Sequence, residues 1–151
     1  SEERSVGKER ISPWSPYHYK TNSNGVNLAS RLESINKYYG TRIIVSEHTW
    51  AQISHRFEAR KLDLVAVKGK SQSCWIYELL AEKGAADPDE AEAARRYERG
   101  LTLYQERRWK QAEASFREAL VLRPKDRAAE LMIGRCRAYL DAPPPSDWDG
   151  V

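Results

Sequence analysis

The sequence predicts an α+β unit followed by an all-α segment, and three observations carry that prediction. Leu28, Leu32, Ile35 and Tyr39 recur at helical spacing, which lays one apolar stripe along a helix. Two runs rich in β-branched and aromatic residues, 57–67 and 73–80, flank the polar turn Lys68-Gly69-Lys70-Ser71 and read as a β-hairpin. Beyond residue 92 the composition shifts to Ala, Glu, Arg, Leu and Gln, which favour helices.

The elements follow in order. Residues 1–25 contain Pro13, Pro16, Trp14 and Tyr17-His18-Tyr19 with neither helical nor strand periodicity, so they are expected to be irregular or disrupted. Residues 26–80 form the α+β unit. Its first helix runs from Val26 to Tyr39, and Gly40 stands where a helix stop belongs. Thr41-Arg42-Ile43-Ile44-Val45 reads as a short strand. Ser46 offers an N-cap, with Glu47 in the first turn, for a helix from 47 to about 55. The hairpin comes next.

Residues 81–92, with Gly84, Pro88 and several acids, are expected to be a linker. In the helical segment 93–141, Gly100, Ala112, Phe116, Ala119 and Pro124 match small, aromatic and proline positions of a tetratricopeptide repeat. Gly134 follows Gly100 by the 34-residue period of such repeats. Arg96 and Arg99 stand where the pattern has its early Trp and Leu. This is one repeat and the first helix of a second, too few to stand alone, so the helices must pack on the first unit, on a partner, or on further repeats. Pro143-Pro144-Pro145 ends the last helix, and the tail 142–151 is expected to be extended.

Bulk composition excludes several classes. The 25 basic and 22 acidic side chains leave a net charge of +3, with no basic stripe of the kind that binds nucleic acid. Cys74 and Cys136 stand far apart without metal-ligand spacing and read as free thiols of a reducing cytoplasm. No apolar run is long enough for a membrane span, although a longer parent protein is compatible with a membrane anchor elsewhere. The 151 residues read as a piece of something larger.

The chemistry concentrates at Asn27 and Arg31. Residues four apart share a helix face, so an amide and a permanently charged planar fork project side by side. That pair suits a bound triphosphate at the point where negative charge moves. Lys68 and Lys70, at the hairpin tip, are mobile point charges suited to phosphate oxygens. His48 and His55 are expected at the surface, and Asp63 as a strand-pairing or turn carboxylate without a catalytic role.

Three blocks in this order, 26–33, 36–47 and 62–79, resemble the catalytic domain of class III adenylate and guanylate cyclases. The resemblance covers about the C-terminal third of that domain and implies the corresponding part of a ferredoxin-like fold. It implies that Asn27 orients the ribose and Arg31 neutralises charge at the α-phosphate, while Lys68 binds the outer phosphates with Lys70 nearby. It further implies ATP or GTP as substrate, a cyclic nucleotide for intracellular signalling as product, and a dimer or a complementary cyclase half as partner. Two aspartates upstream of the signature helix hold Mg2+ or Mn2+ in the family, and residues 1–25 contain no aspartate. Lys20 occupies the position where the family often has its base-selecting Asp or Thr, and Ser23-Asn24-Gly25 echoes the turn before the helix. The expectation is therefore a cyclase segment that is inactive by itself. Its rivals are a degenerate regulatory module and a scaffold whose helices bind a protein partner.

Overall fold

The computed structural model describes residues 19–20, 34–68 and 72–151, with backbone alone at 19–20 and 67–68. Within these residues helix and sheet come first and three helices follow, as composition predicts. We label the elements β1 (Tyr19–Lys20), α1 (residues 34–39), β2 (Ile44–Ser46), α2 (Glu47–Ile53), β3 (Phe57–Lys68), β4 (Ser73–Glu82), α3 (Pro88–Gln105), α4 (Trp109–Leu122) and α5 (Arg127–Asp141). The strand order is β1-β3-β4-β2, with β3, β4 and β2 antiparallel and β1 parallel to β3.

Local signals set most boundaries. Gly40 ends α1 with φ +69°, a left-handed conformation that glycine adopts without a Cβ penalty. Ser46 caps α2 by accepting from the Thr49 N–H. Glu47 does more than complement the helix dipole, because its carboxylate accepts the Trp75 N–H at 3.0 Å and ties α2 to β4. At α3, Asp87 accepts from the amides of Asp89 and Glu90, and Pro88 fills the first helical turn where its missing N–H costs nothing.

The stretch 81–92 holds the end of β4 and the first turn of α3, leaving only 83–87 as the connection. That connection is held down, since Glu58 accepts from the Gly84 and Ala86 amides and Lys83 N–H donates to Arg56. The long strands have a physical requirement: an open sheet edge must be covered. Helix α3 does this for β3. Its Glu98 accepts the Lys61 N–H at 2.7 Å, and the Tyr97 hydroxyl donates to the Leu62 carbonyl at 2.7 Å. A register shift between Lys61 and Asp63 turns Leu62 and Asp63 into the core at this point.

One apolar core spans sheet and helices. Ile35, Tyr39, Leu62, Val65 and Ile76 are buried together with Tyr97, Leu101, Phe116, Met132 and Tyr139. Each large side chain so buried contributes roughly 1.5–3 kcal/mol. The helices therefore pack on the α+β unit. The tail does not extend away either. Trp148 rests among Tyr104, Trp109 and Tyr139, Arg107 donates to the Pro144 and Pro145 carbonyls, and Val151 is buried against Leu64 and Ala66. The aromatic cluster supplies the apolar seat that returns the chain after its proline run.

Two glycines at repeat spacing have different standing. A Cβ on Gly100 would lie 2.8 Å from Phe116 in the buried core, whereas one on Gly134 meets nothing within 4 Å. Gly100→Ala is expected to destabilise by about 1–3 kcal/mol through overpacking. Gly134→Ala, on the exposed side of α5, should instead stabilise by about 0.5–1 kcal/mol. Urea denaturation of both variants checks this opposition in sign.

Burial raises the pKa of Glu98 above the ordinary glutamate value, with the Lys61 N–H opposing it only in part. The folded chain thus keeps this proton to higher pH than the unfolded chain. The associated stability is complete below the unfolded pKa and is lost as pH rises through the folded one. The stability of wild type relative to Glu98→Gln is expected to fall as pH rises above the ordinary glutamate value of about 4. Denaturation midpoints of the two proteins at rising pH provide the measurement, and a flat difference would refute the raised value.

Candidate functional site

The residues singled out for chemistry fall largely beyond the described part of the chain. Asn27, Arg31 and Lys70 lie outside the described residues. Lys68 is the last residue of β3, and its backbone is in parallel register with Lys20. That pairing was not legible from residues 1–25, which lack strand periodicity; two residues are too few to show it. It sets the two lysine positions on adjacent strands, the one at the expected phosphate end of the hairpin and the other at the expected base-selecting position.

What the structure does define is the frame around these positions. The described end of α1 keeps the predicted stripe, with Ile35 and Tyr39 buried. Below them lies Asp63, 1% exposed, and it is neither a turn nor a strand-pairing carboxylate as expected. Its Oδ2 accepts the Tyr39 hydroxyl at 2.6 Å and an Arg135 Nη1–H at 2.7 Å, while Oδ1 accepts the Leu64 N–H. Burial pushes the Tyr39 phenol well above its usual range, and the Asp63 carboxylate pushes it further, so the hydroxyl stays a donor. Arg135 is as deeply buried, and its charge is kept by Asp63 against the cost of desolvation.

A second buried ion cluster stands beside the first. Arg60 and Glu78 are cross-strand partners, 2.5 Å apart between Nη2 and Oε1, and Arg60 also reaches Asp126 at the start of α5. The Arg60 guanidinium covers the Tyr97 ring at 4.4 Å. Arg123, just after α4, adds a further cation to Glu78 at 3.4 Å. Sheet and helices are thus joined through charge as well as apolar area.

These commitments bear on metal binding. Among the described residues no group of three or more His, Cys, Asp or Glu could hold a metal ion. Asp63 and Asp126 are engaged by arginines, and His48 and His55 are exposed on or beside α2 as expected, with His48 next to Gln52. The described residues alone do not make up a two-metal site. Cys74 and Cys136 are not joined in a disulfide, and burial pushes the Cys136 thiol up to about 12, which makes it unreactive. No helix among the described residues is long and apolar enough to cross a membrane.

Sequence reasoning missed Arg60, Asp63, Asp126 and Arg135 as a connected set. Arg60 and Asp63 are two of the five charged residues of β3, so neither stands out locally, and their partners lie 66 and 72 residues away along the chain.

Asp63→Asn should destabilise the chain by about 3 kcal/mol, because it leaves the Arg135 charge buried without a counter-ion. Adding Arg135→Met removes that charge and should recover part of the loss, a non-additivity that a double-mutant cycle in urea detects.

Comparison with known proteins gives three curated relatives, all named as adenylate cyclases. The chain is 32% identical over 117 residues to the terminal-differentiation specific adenylate cyclase of Dictyostelium discoideum, covering 75% of this chain and 6% of that protein. It is 37% identical over 91 residues to adenylate cyclase 1 of Rhizobium meliloti (strain 1021), covering 60% of this chain and 13% of that protein. To the adenylate cyclase of Anabaena cylindrica it is 39% identical over 61 residues, covering 38% of this chain and 12% of that protein. The chain therefore spans a small part of the length of each. No family profile matches the chain, and no solved structure matches it. A match over 75% of 151 residues is about 113 residues, so wherever it begins it includes residues 39–113 and hence α3. The likeness to the Dictyostelium protein thus runs through the connection 83–87 into the helices, and a partial relationship to adenylate cyclases is the conclusion that sequence similarity supports.

Proposed function

We propose that this chain is the transition-state portion of a class III nucleotidyl cyclase, acting on ATP or GTP at an interface with a complementary, metal-binding half. The observation that carries the reading is the ordered set of blocks from Val26 to Leu79, supported by the partial identity to three proteins named adenylate cyclase. In the proposed reaction the ribose 3′-oxygen loses its proton and forms a bond to the α-phosphorus. The bond from that phosphorus to the bridging oxygen of the β-phosphate breaks, and pyrophosphate leaves. Arg31 places a permanent positive charge against the α-phosphate oxygens as negative charge moves onto the leaving group. Asn27 holds the ribose so that the 3′-oxygen lies in line with the bond that breaks. Lys68 and Lys70 neutralise the outer phosphates that depart as pyrophosphate. No step is assigned to a metal held by this chain: among the described residues no group of three or more His, Cys, Asp or Glu could hold one, and Asp63 and Asp126 are paired with arginines.

By this reading the chain alone forms no cyclic nucleotide, and activity appears when an intact metal-binding cyclase half is added with Mg2+ or Mn2+. In that mixture Arg31→Ala is expected to lower kcat by at least about 100-fold. Formation of cyclic AMP or cyclic GMP is the readout, and equal activity of wild type and Arg31→Ala would overturn the catalytic reading in favour of a regulatory module.

A further inference from the structure

We infer that α5 is the positioning element for α1 and β3, acting through Arg127 and Arg135. It thereby sets the end of α1 against β3, the strand that ends at Lys68, and in the proposed cyclase α1 follows in sequence on the stretch that holds Asn27 and Arg31. This inference rests on the cyclase reading for its catalytic consequence, but its structural content stands on contacts within the described residues.

Two separate ties run from α5 to the C-terminal end of α1. Arg127, in the first turn of α5, donates from Nε to the Tyr38 carbonyl at 2.8 Å. A helix leaves its last carbonyls without partners and carries partial negative charge there, so a guanidinium at this point both fills an acceptor and complements the dipole. Gly40 allows the approach: a Cβ there would stand 3.0 Å from Arg127 Cβ. The second tie is internal. Arg135, two turns further along α5, donates to the same Asp63 oxygen that receives the Tyr39 hydroxyl.

Asp63 lies on β3, the strand that ends at Lys68. One carboxylate therefore joins the end of α1 to the strand that carries Lys68, and α5 holds that carboxylate through Arg135. A displacement of about 1 Å at a reacting centre can cost about 100-fold in rate. The helical segment thus acts on the site without touching the nucleotide, so Arg127 and Arg135 are positioning residues.

The test uses the full chain with Arg127→Ala, a surface change, and Tyr39→Phe, which deletes one hydroxyl and leaves the Asp63–Arg135 pair. Amide hydrogen exchange at residues 34–39 is expected to quicken by about fivefold or more in each, with exchange in α4 unchanged. Arg127→Lys keeps a cation and should restore part of the protection. In the mixture with the metal-binding half, kcat should fall by about 10-fold at unchanged KM in each, with the thermal midpoint unchanged for the surface variant Arg127→Ala. Unchanged exchange in α1, or equal acceleration in α1 and α4, would overturn the positioning role. So would faster exchange with kcat intact. If instead Arg31→Ala leaves activity untouched, the cyclase reading falls while the exchange measurement still decides the clamp.

Discussion

A single buried carboxylate organises this chain. Asp63 sits where water cannot reach, takes a hydroxyl from the end of α1 and a guanidinium from α5, and is itself part of β3. A charge in such a place is costly unless it is paired and hydrogen-bonded, and α1 and α5 supply the partners it needs. Apolar packing alone tolerates sliding and repacking. This contact does not, and it fixes the sheet, the helix of α1 and the last helix as one body.

The neighbouring Arg60 cluster repeats the principle with the charges exchanged. Here the sheet supplies the buried cation, Glu78 stands beside it on the partner strand, and Asp126 comes from the turn before α5. Between the two clusters α3 covers the edge of β3 with Tyr97 and Glu98. The helices supply a second layer for the sheet and complete one core with it. The similarity to the Dictyostelium cyclase reaches into α3, which agrees with helices that belong to the unit they cover.

Much of the local structure was legible in the sequence because its causes are local. Ser46 caps α2, Gly40 stops α1, and the hairpin follows from β-branched runs around a glycine turn. The apolar stripe predicted for the first helix is kept by Ile35 and Tyr39. The candidate site was legible only as residue types at a spacing. Of Asn27, Arg31, Lys68 and Lys70, the structure describes the backbone of Lys68 alone, in register with Lys20. The supporting residues were hidden because each is ordinary by itself: a strand arginine, a strand aspartate and an arginine in a charged helix. The return of the tail was hidden too, since the seat for Trp148 is assembled from Tyr104, Trp109 and Tyr139 on three other segments.

The sequence by itself determined the stop of α1 at Gly40, the cap of α2 at Ser46 and the pairing of two strands as a hairpin, and it supplied the residue types that the proposed function uses. These depend on capping, backbone freedom and periodicity, all settled within a few residues. Tertiary structure alone decided that the helices form the second layer of the α+β unit and that Asp63 serves α1 and α5 together. Those outcomes depend on desolvation, which forces buried charges to find partners wherever the fold brings them, and the distance along the chain between Tyr39, Asp63 and Arg135 carries no trace of it.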